Sequence, residues 1–139
     1  MIDKRNSKTI TFWLGGILFE YDEWKNEYNI IHHGISLRQA ARVFFDYDRI
    51  ELFDEENSDC EERYDTIGDL AAGHMNTLKS GETVIGNVGS LSADVNDIVF
   101  VVYTERTQTN NNGKKADVTR LISARLATDF ERGLYYGKY

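Results

Sequence analysis

The spacing of the apolar residues predicts an α+β fold. Two helical periods follow a first short strand, a run of strand-like segments follows the helices, and a last helix closes the chain. Helices and strands grouped in this way, without strict alternation, indicate α+β rather than a parallel α/β sheet. The chain has 139 residues, 41% apolar and 28% charged, which suits one domain.

The elements follow in order. Ile17 to Tyr21 reads as a short strand. Asp22 is placed to cap the next helix, because its carboxylate can accept the free amides of a first turn. Trp24, Tyr28 and Ile31 recur at i, i+4 and i+7, one face of that helix. Gly34 ends it, since glycine takes the left-handed conformation at little cost. Ser36 with Gln39 has capping-box spacing and opens a second helix, whose stripe is Leu37, Ala40, Ala41 and Phe44 and which should end near Asp46. The period then changes to two. Arg49 to Phe53 alternates, Arg63 to Leu70 is a weaker strand, and Ile98 to Thr104 is apolar on both faces, as in a central strand. Val118 to Arg125 reads as a further strand, with Arg120, Ile122 and Ala124 on one side and Leu121, Ser123 and Arg125 on the other. Thr128 with Glu131 opens a C-terminal helix through Tyr135. There Phe130, Leu134, Tyr135 and Tyr136 serve to pack it on the sheet, stacking on bases being the alternative for Tyr135 and Tyr136. Thr107 to Lys115 reads as a hairpin turn around Asn112-Gly113. Asp69 to Asp97 is rich in Gly, Ser, Asn and Asp and reads as a long loop with one apolar alternation, Val84-Ile85 and Val88, an extra hairpin being the alternative.

Composition narrows the function classes. The longest apolar run, Ile98 to Tyr103, is far below the ~20 residues that span a bilayer. Behind Met1-Ile2-Asp3-Lys4 there is no signal-peptide core. Cys60 is the single cysteine, which leaves no intrachain disulfide and no cysteine-rich zinc site. These points lead to the expectation of a cytoplasmic protein without a membrane partner. The net charge of −7 is unevenly spread: residues 1–68 sum to −7, residues 69–104 to −3 and residues 105–139 to +3. The acidic run Asp54 to Glu62 reads as a solvated loop, and the C-terminal third is where a basic surface for nucleic acid would lie.

Four blocks in order carry a family resemblance. The first runs from Phe19-Glu20-Tyr21-Asp22 through Lys25 and Asn29 to His33-Gly34-Ile35. The second is Ala40-Ala41-Arg42-Val43-Phe44-Phe45-Asp46. Glu62-Arg63-Tyr64-Asp65-Thr66-Ile67-Gly68 is the third. The fourth joins Val101-Val102-Tyr103-Thr104-Glu105-Arg106 to Arg120-Leu121-Ile122-Ser123-Ala124-Arg125 and the helix containing Glu131-Arg132. Together they resemble the BrnT family, ribonuclease toxins of type II toxin–antitoxin systems. The chain departs from the family at Tyr21, where tryptophan is frequent. It departs again at His32 and Leu126, where lysine is usual, and at Tyr47, where proline is common. Residues 1–17 and the 69–97 segment are extra to the pattern, the latter expected to be an insertion dispensable for folding.

The resemblance implies a RelE-like mRNA interferase fold, RNA cleavage that arrests growth, and a BrnA-like ribbon-helix-helix antitoxin as partner, with homodimers within the toxin–antitoxin complex as one arrangement. No cofactor and no metal is expected, since no cluster of metal ligands stands out. Metal-free RNA cleavage needs a base for the 2′-hydroxyl, a cation for the charge growing on phosphorus and an acid for the leaving oxygen. Arg63, Arg106 and Arg125 are the candidate cations, each in a matched block at a strand or strand end; pairing with a neighbouring carboxylate is the alternative for each. Arg125 is the first choice of the three, because it ends a strand next to a capped helix, whose amides also favour phosphate. His33 is the candidate for proton transfer, because its ordinary pKa lies near working pH; the alternative is a helix-capping residue. Lys25, Glu62 and Arg120 are candidate substrate-binding residues, Glu62 also serving as a carboxylate base or, alternatively, only as a solvated charge. A toxin-fold module that binds its antitoxin without cleaving RNA is the competing reading, favoured by the acidic balance and the two missing lysines.

Overall fold

Six strands form one sheet in the order β1-β2-β6-β5-β4-β3, antiparallel throughout except where β2 meets β6. A computed structural model describes residues 3–56, 58, 61–79 and 98–137. The strands are β1 (Thr9–Leu14), β2 (Ile17–Asp22), β3 (Ile50–Asp54), β4 (Arg63–Asp69), β5 (Ile98–Thr109) and β6 (Lys115–Leu126). The helices are α1 (Glu23–His33), α2 (Leu37–Ala40), α3 (Leu70–Lys79) and α4 (Asp129–Tyr135), with a 3-10 turn at Ala41–Phe45 continuing α2. The order is the mixed α+β one read from the periods, and it is consistent with a RelE-like toxin fold.

The caps are made by the expected residues. Asp22 accepts the Trp24 amide at 3.0 Å, and Ser7 adds its hydroxyl to both. Gly34 ends α1 at φ 70° with its amide on Ile30 O. Ser36 and Gln39 form a reciprocal box at the start of α2, as Thr128 and Glu131 do at the start of α4.

Three expectations are corrected. The helix expected to reach Asp46 is α-helical only to Ala40 and then tightens into the 3-10 turn. Three residues per turn line up Leu37, Ala40 and Val43, all fully buried, so Val43 fills the core place while Phe44 is only partly buried. The second correction concerns residues 69–97, expected to be one polar loop or an extra hairpin. Asp69 ends β4, and Leu70 begins a helix that packs on the 3-10 turn. Leu70 joins the core, Arg42 donates to Thr77 at 2.8 Å, and Asn76 donates to Phe45 O at 2.8 Å. Residues 80–97, which hold Val84, Ile85 and Val88, lie outside the described residues.

The third correction is the alternation of β6. Tyr103 pairs with Leu121 but Val102 pairs with Ser123, so Ile122 is an extra residue. This bulge puts Leu121 and Ala124 on the same face, both in the core with Val99, Val101 and Tyr103. It also returns Arg120, Ser123 and Arg125 to the opposite face, in line with Thr104, Val102 and Phe100. Simple alternation had separated Arg120 from Arg125.

Two buried polar side chains fasten the elements. β2 accompanies β6 only to Leu121. Beyond it the Asn29 amide takes the place of a strand: Ala124 N donates to its Oδ1 at 2.9 Å, and its Nδ2 donates to Ala124 O at 2.7 Å and Ile35 O at 2.8 Å. Asp46 accepts from Asp69 N at 2.8 Å and from the Tyr135 hydroxyl at 2.7 Å, tying the end of β4 to α4.

Candidate functional site

The helical layer and the sheet face it covers hold the core, so the polar chemistry collects on the other face. Cross-strand register puts Glu20, Arg120, Thr104 and Arg63 in one row across β2, β6, β5 and β4. At this end of the sheet lies a cleft of about 240 Å³ lined by Asp22, Lys25, Glu61, Arg63, Arg106 and Arg120, among others. Four cations predicted from three blocks therefore meet, contributed by α1, β4, β5 and β6.

Glu20 organises two of them. Its Oε1 lies 3.2 Å from Arg120 and 3.7 Å from Arg106, and Glu61 lies 3.2 Å from the other Arg106 nitrogen. The Arg106 side chain is 47% exposed, against 19% for Arg120, so Arg106 is the more open to a ligand. Arg63 differs from both. Its Nε is shut off from solvent with no hydrogen-bond partner among the described residues. The Lys25 ammonium sits 5.9 Å from the Tyr28 ring centre.

Arg125 is on the same sheet face, beyond the bulge, and lines neither this cleft nor its neighbour. Glu131 grips it with two hydrogen bonds, 2.7 and 3.0 Å, and the guanidinium lies 4.2 Å over the Phe100 ring. The Glu131 bonds raise the Arg125 pKa. Burial works to raise the Glu131 pKa, but the bonds from Arg125 and Thr128 outweigh it and hold the carboxyl below its ordinary value. The amides expected to help Arg125 with phosphate are partly engaged: Glu131 N bonds Thr128 Oγ1 and Arg132 N bonds Thr128 O.

The remaining candidates stand apart. His33 is the exposed last residue of α1 and lines neither cleft. Glu62 lines a neighbouring opening of about 360 Å³ with Glu105, Asp117 and Arg106. It accepts the Tyr64 hydroxyl at 2.9 Å and pushes that phenol's pKa up. His74 is on α3, where burial, with Arg42 adding, lowers its pKa. Tyr103, on β5, is core, and burial raises its pKa.

Sequence reasoning missed Asp65. It sits two residues from Arg63 on the same face of β4. Burial, then the Asp54 carboxylate that shares a hydrogen bond with it, push its pKa up to about 6; Glu131 adds to this and Arg125 opposes it. The only available signal was strand alternation, which sets Arg63, Asp65 and Ile67 on one side. Among the described residues, no group of three His, Cys, Asp or Glu side chains is arranged to hold a metal ion. No helix there is long and apolar enough to cross a membrane.

The model of the ribonuclease toxin BrnT, of type II toxin–antitoxin systems, matches residues 21–79. That stretch is less than half of the chain and runs from the end of β2 to the end of α3. It includes Leu70–Lys79, which the sequence pattern had set apart as an insertion. No curated protein matches the chain.

Proposed function

We propose that this protein is the toxin of a type II toxin–antitoxin pair and that it cleaves RNA, with a small ribbon-helix-helix antitoxin as its restraint. The match to BrnT toxins over residues 21–79 supports a toxin of this kind. The observation that carries the RNA reading is the gathering of Lys25, Arg63, Arg106 and Arg120 around one cleft of an otherwise acidic chain.

A phosphodiester in that cleft meets fixed positive charge. Glu20 holds the Arg106 and Arg120 forks in place before substrate arrives, so little reorganisation is needed when negative charge builds on phosphorus. Arg63 adds its charge to the cleft wall, and planar guanidinium groups suit paired phosphate oxygens. Arg125, clamped by Glu131, serves as a positive neighbour of the site rather than as a free phosphate ligand. The cleavage needs no metal in this reading: the 2′-hydroxyl of the RNA is the nucleophile.

A second reading, a module that binds its antitoxin without cutting RNA, is favoured by the carboxylates already paired with Arg106, Arg120 and Arg125. One experiment separates the two. Expression of the protein should arrest growth, and the purified protein should cut a single-stranded RNA. Arg63→Ala should lower the cleavage rate on the order of a hundredfold, as loss of one charge-stabilising donor does, with an unchanged melting curve. Arrest and RNA cutting that survive Arg63→Ala and Arg106→Ala together would remove the cleft from the mechanism. Antitoxin binding with no RNA cutting at all would leave the second reading.

A further inference from the structure

We propose that the ring column on the outer face of α1, formed by Trp24, Tyr28 and His32, is a stacking platform for the bases of a single-stranded RNA whose phosphodiester lies in the cation cleft. This inference deepens the ribonuclease reading above and rests on it for the identity of the substrate.

The column faces water because α1 turns a polar side to the sheet. Trp24, Tyr28 and Ile31 recur at helical spacing, and a stripe of that kind ordinarily packs on a core. Two asparagines take that place instead. Asn29 is the buried residue of α1 and bonds to Ala124 and Ile35, and Asn26 Oδ1 accepts the Leu37 amide at 2.8 Å. At 3.6 residues per turn these two lie on the side of the helix away from the stripe. Tyr28 is consequently 41% exposed and Ile31 60%, with His32 exposed beside them. Large apolar side chains gathered at a surface mark a place where something else binds.

Ring geometry and charge indicate what binds. The Trp24 and Tyr28 ring centres are 5.5 Å apart at an interplanar angle of 29°, and those of Tyr28 and His32 are 4.0 Å apart at 36°. The rings are splayed and follow one another along the helix at i, i+4 and i+8. Every nucleobase has a π face, and single strands are held by stacking on such rings with little regard to sequence. Two cations accompany them. The Lys4 ammonium is 5.1 Å from the centre of the Trp24 ring, and that of Lys25 is 5.9 Å from the centre of Tyr28. The helix carboxylates Glu23 and Glu27 fall on the other flank of the stripe from Lys25. Rings interleaved with cations match a polymer of bases and phosphates, whereas an apolar protein segment would gain nothing from the two lysines.

Continuity with the cleft places the strand. Lys25 lines the cation cleft, and so does Asp22, which caps α1 and accepts the Trp24 amide. One wall of the cleft is therefore the first turn of the helix that carries the rings. A strand with its phosphodiester against Arg63, Arg106 and Arg120 leaves the cleft past Lys25, and its next base meets the Tyr28 ring beside that ammonium. Stacking there holds substrate and transition state alike, so it lowers KM and leaves kcat unchanged.

The test uses the full chain and an all-deoxy single strand, which lacks the 2′-hydroxyl and reports binding alone. The same strand carrying abasic sites should bind the wild-type protein roughly tenfold or more weakly. Tyr28→Ala should lose affinity for the base-bearing strand to a similar degree, and Tyr28→Phe should retain it. The slope of log affinity against log salt should be unchanged in Tyr28→Ala and reduced by about 0.7 in Lys25→Ala. The chain has two tryptophans, so in a Trp13→Phe protein the strand should quench Trp24 fluorescence. With an RNA substrate, Tyr28→Ala should raise KM at constant kcat. Equal affinity for the base-bearing and abasic strands overturns the platform, and that comparison needs no variant. A Tyr28→Ala protein that binds the strand as wild type does but no longer binds its antitoxin also overturns it and assigns the stripe to the antitoxin. If RNA is still cut in either case, the ribonuclease reading stands. Base-dependent binding through Tyr28 with no cutting of RNA supports the platform and overturns the ribonuclease reading.

Discussion

Asn29 shows how one side chain can stand in for a whole segment of strand. Its carboxamide has the same donor and acceptor as a peptide unit, and it pairs with both backbone groups of Ala124 where β2 has ended. Truncation to alanine leaves the Ala124 amide and carbonyl and the Ile35 carbonyl unsatisfied in a buried place. Asn29→Ala should therefore cost about 2–4 kcal/mol in denaturant unfolding, and a loss under half a kcal/mol would mean that water replaces the side chain there. The sequence placed Asn29 on a helix and in a matched block, but nothing in helical periodicity tells a surface asparagine from one that completes a sheet edge. The same holds for Asp46, legible as a helix end and found as the junction of β4 and α4. Arg125 was legible as a cation near a capped helix. That Glu131, the residue completing the cap, also takes up its charge was a matter of where the helix lands.

At the scale of elements, caps were read correctly because they are local: Asp22, Gly34, Ser36 with Gln39, and Thr128 with Glu131 act on amides within four residues. The elements misread were those decided by distant contacts. α3 has a weak apolar stripe, and its place is set by close approach to the 3-10 turn. A Cβ built on Gly73 would lie 1.9 Å from the carbonyl oxygen of Arg42, a backbone atom that cannot swing aside. Gly73→Ala should force the helix off the turn and cost about 1–3 kcal/mol or more. Unchanged stability in that variant would show that α3 docks less closely. Removal of residues 70–79 should collapse the thermal transition, against the expectation that the whole 69–97 segment is dispensable. The bulge at Ile122 belongs to this scale as well. An extra residue in one strand costs the sequence pattern only a slipped period, yet it brings Arg120 and Arg125 to one side of the sheet.

Over the whole molecule, a net charge of −7 and a cleft of four cations act together. Attraction for a polyanion is then local to the cleft and opposed elsewhere, which should make RNA binding strongly dependent on salt. Each phosphate contact to a single strand adds roughly 0.7 to the slope of log affinity against log salt. Arg63→Ala should reduce that slope by about this amount, and Arg125→Ala should leave it nearly unchanged because Glu131 already balances its charge. Equal slopes for wild type and Arg63→Ala would place the bound phosphates elsewhere. The amino-acid sequence by itself determined the fold class, the caps and the central strands, because each depends on a repeat or a pairing within a few residues. It also carried the likeness to BrnT toxins. Only the tertiary structure decided which cations share a cleft, that Arg125 is gripped by Glu131, that Leu70–Lys79 packs as a helix, and that the Asp65 carboxyl is held against Asp54. Those depend on register across six strands and on one bulge, and a shift of a single residue in either would send the same side chains to the opposite face.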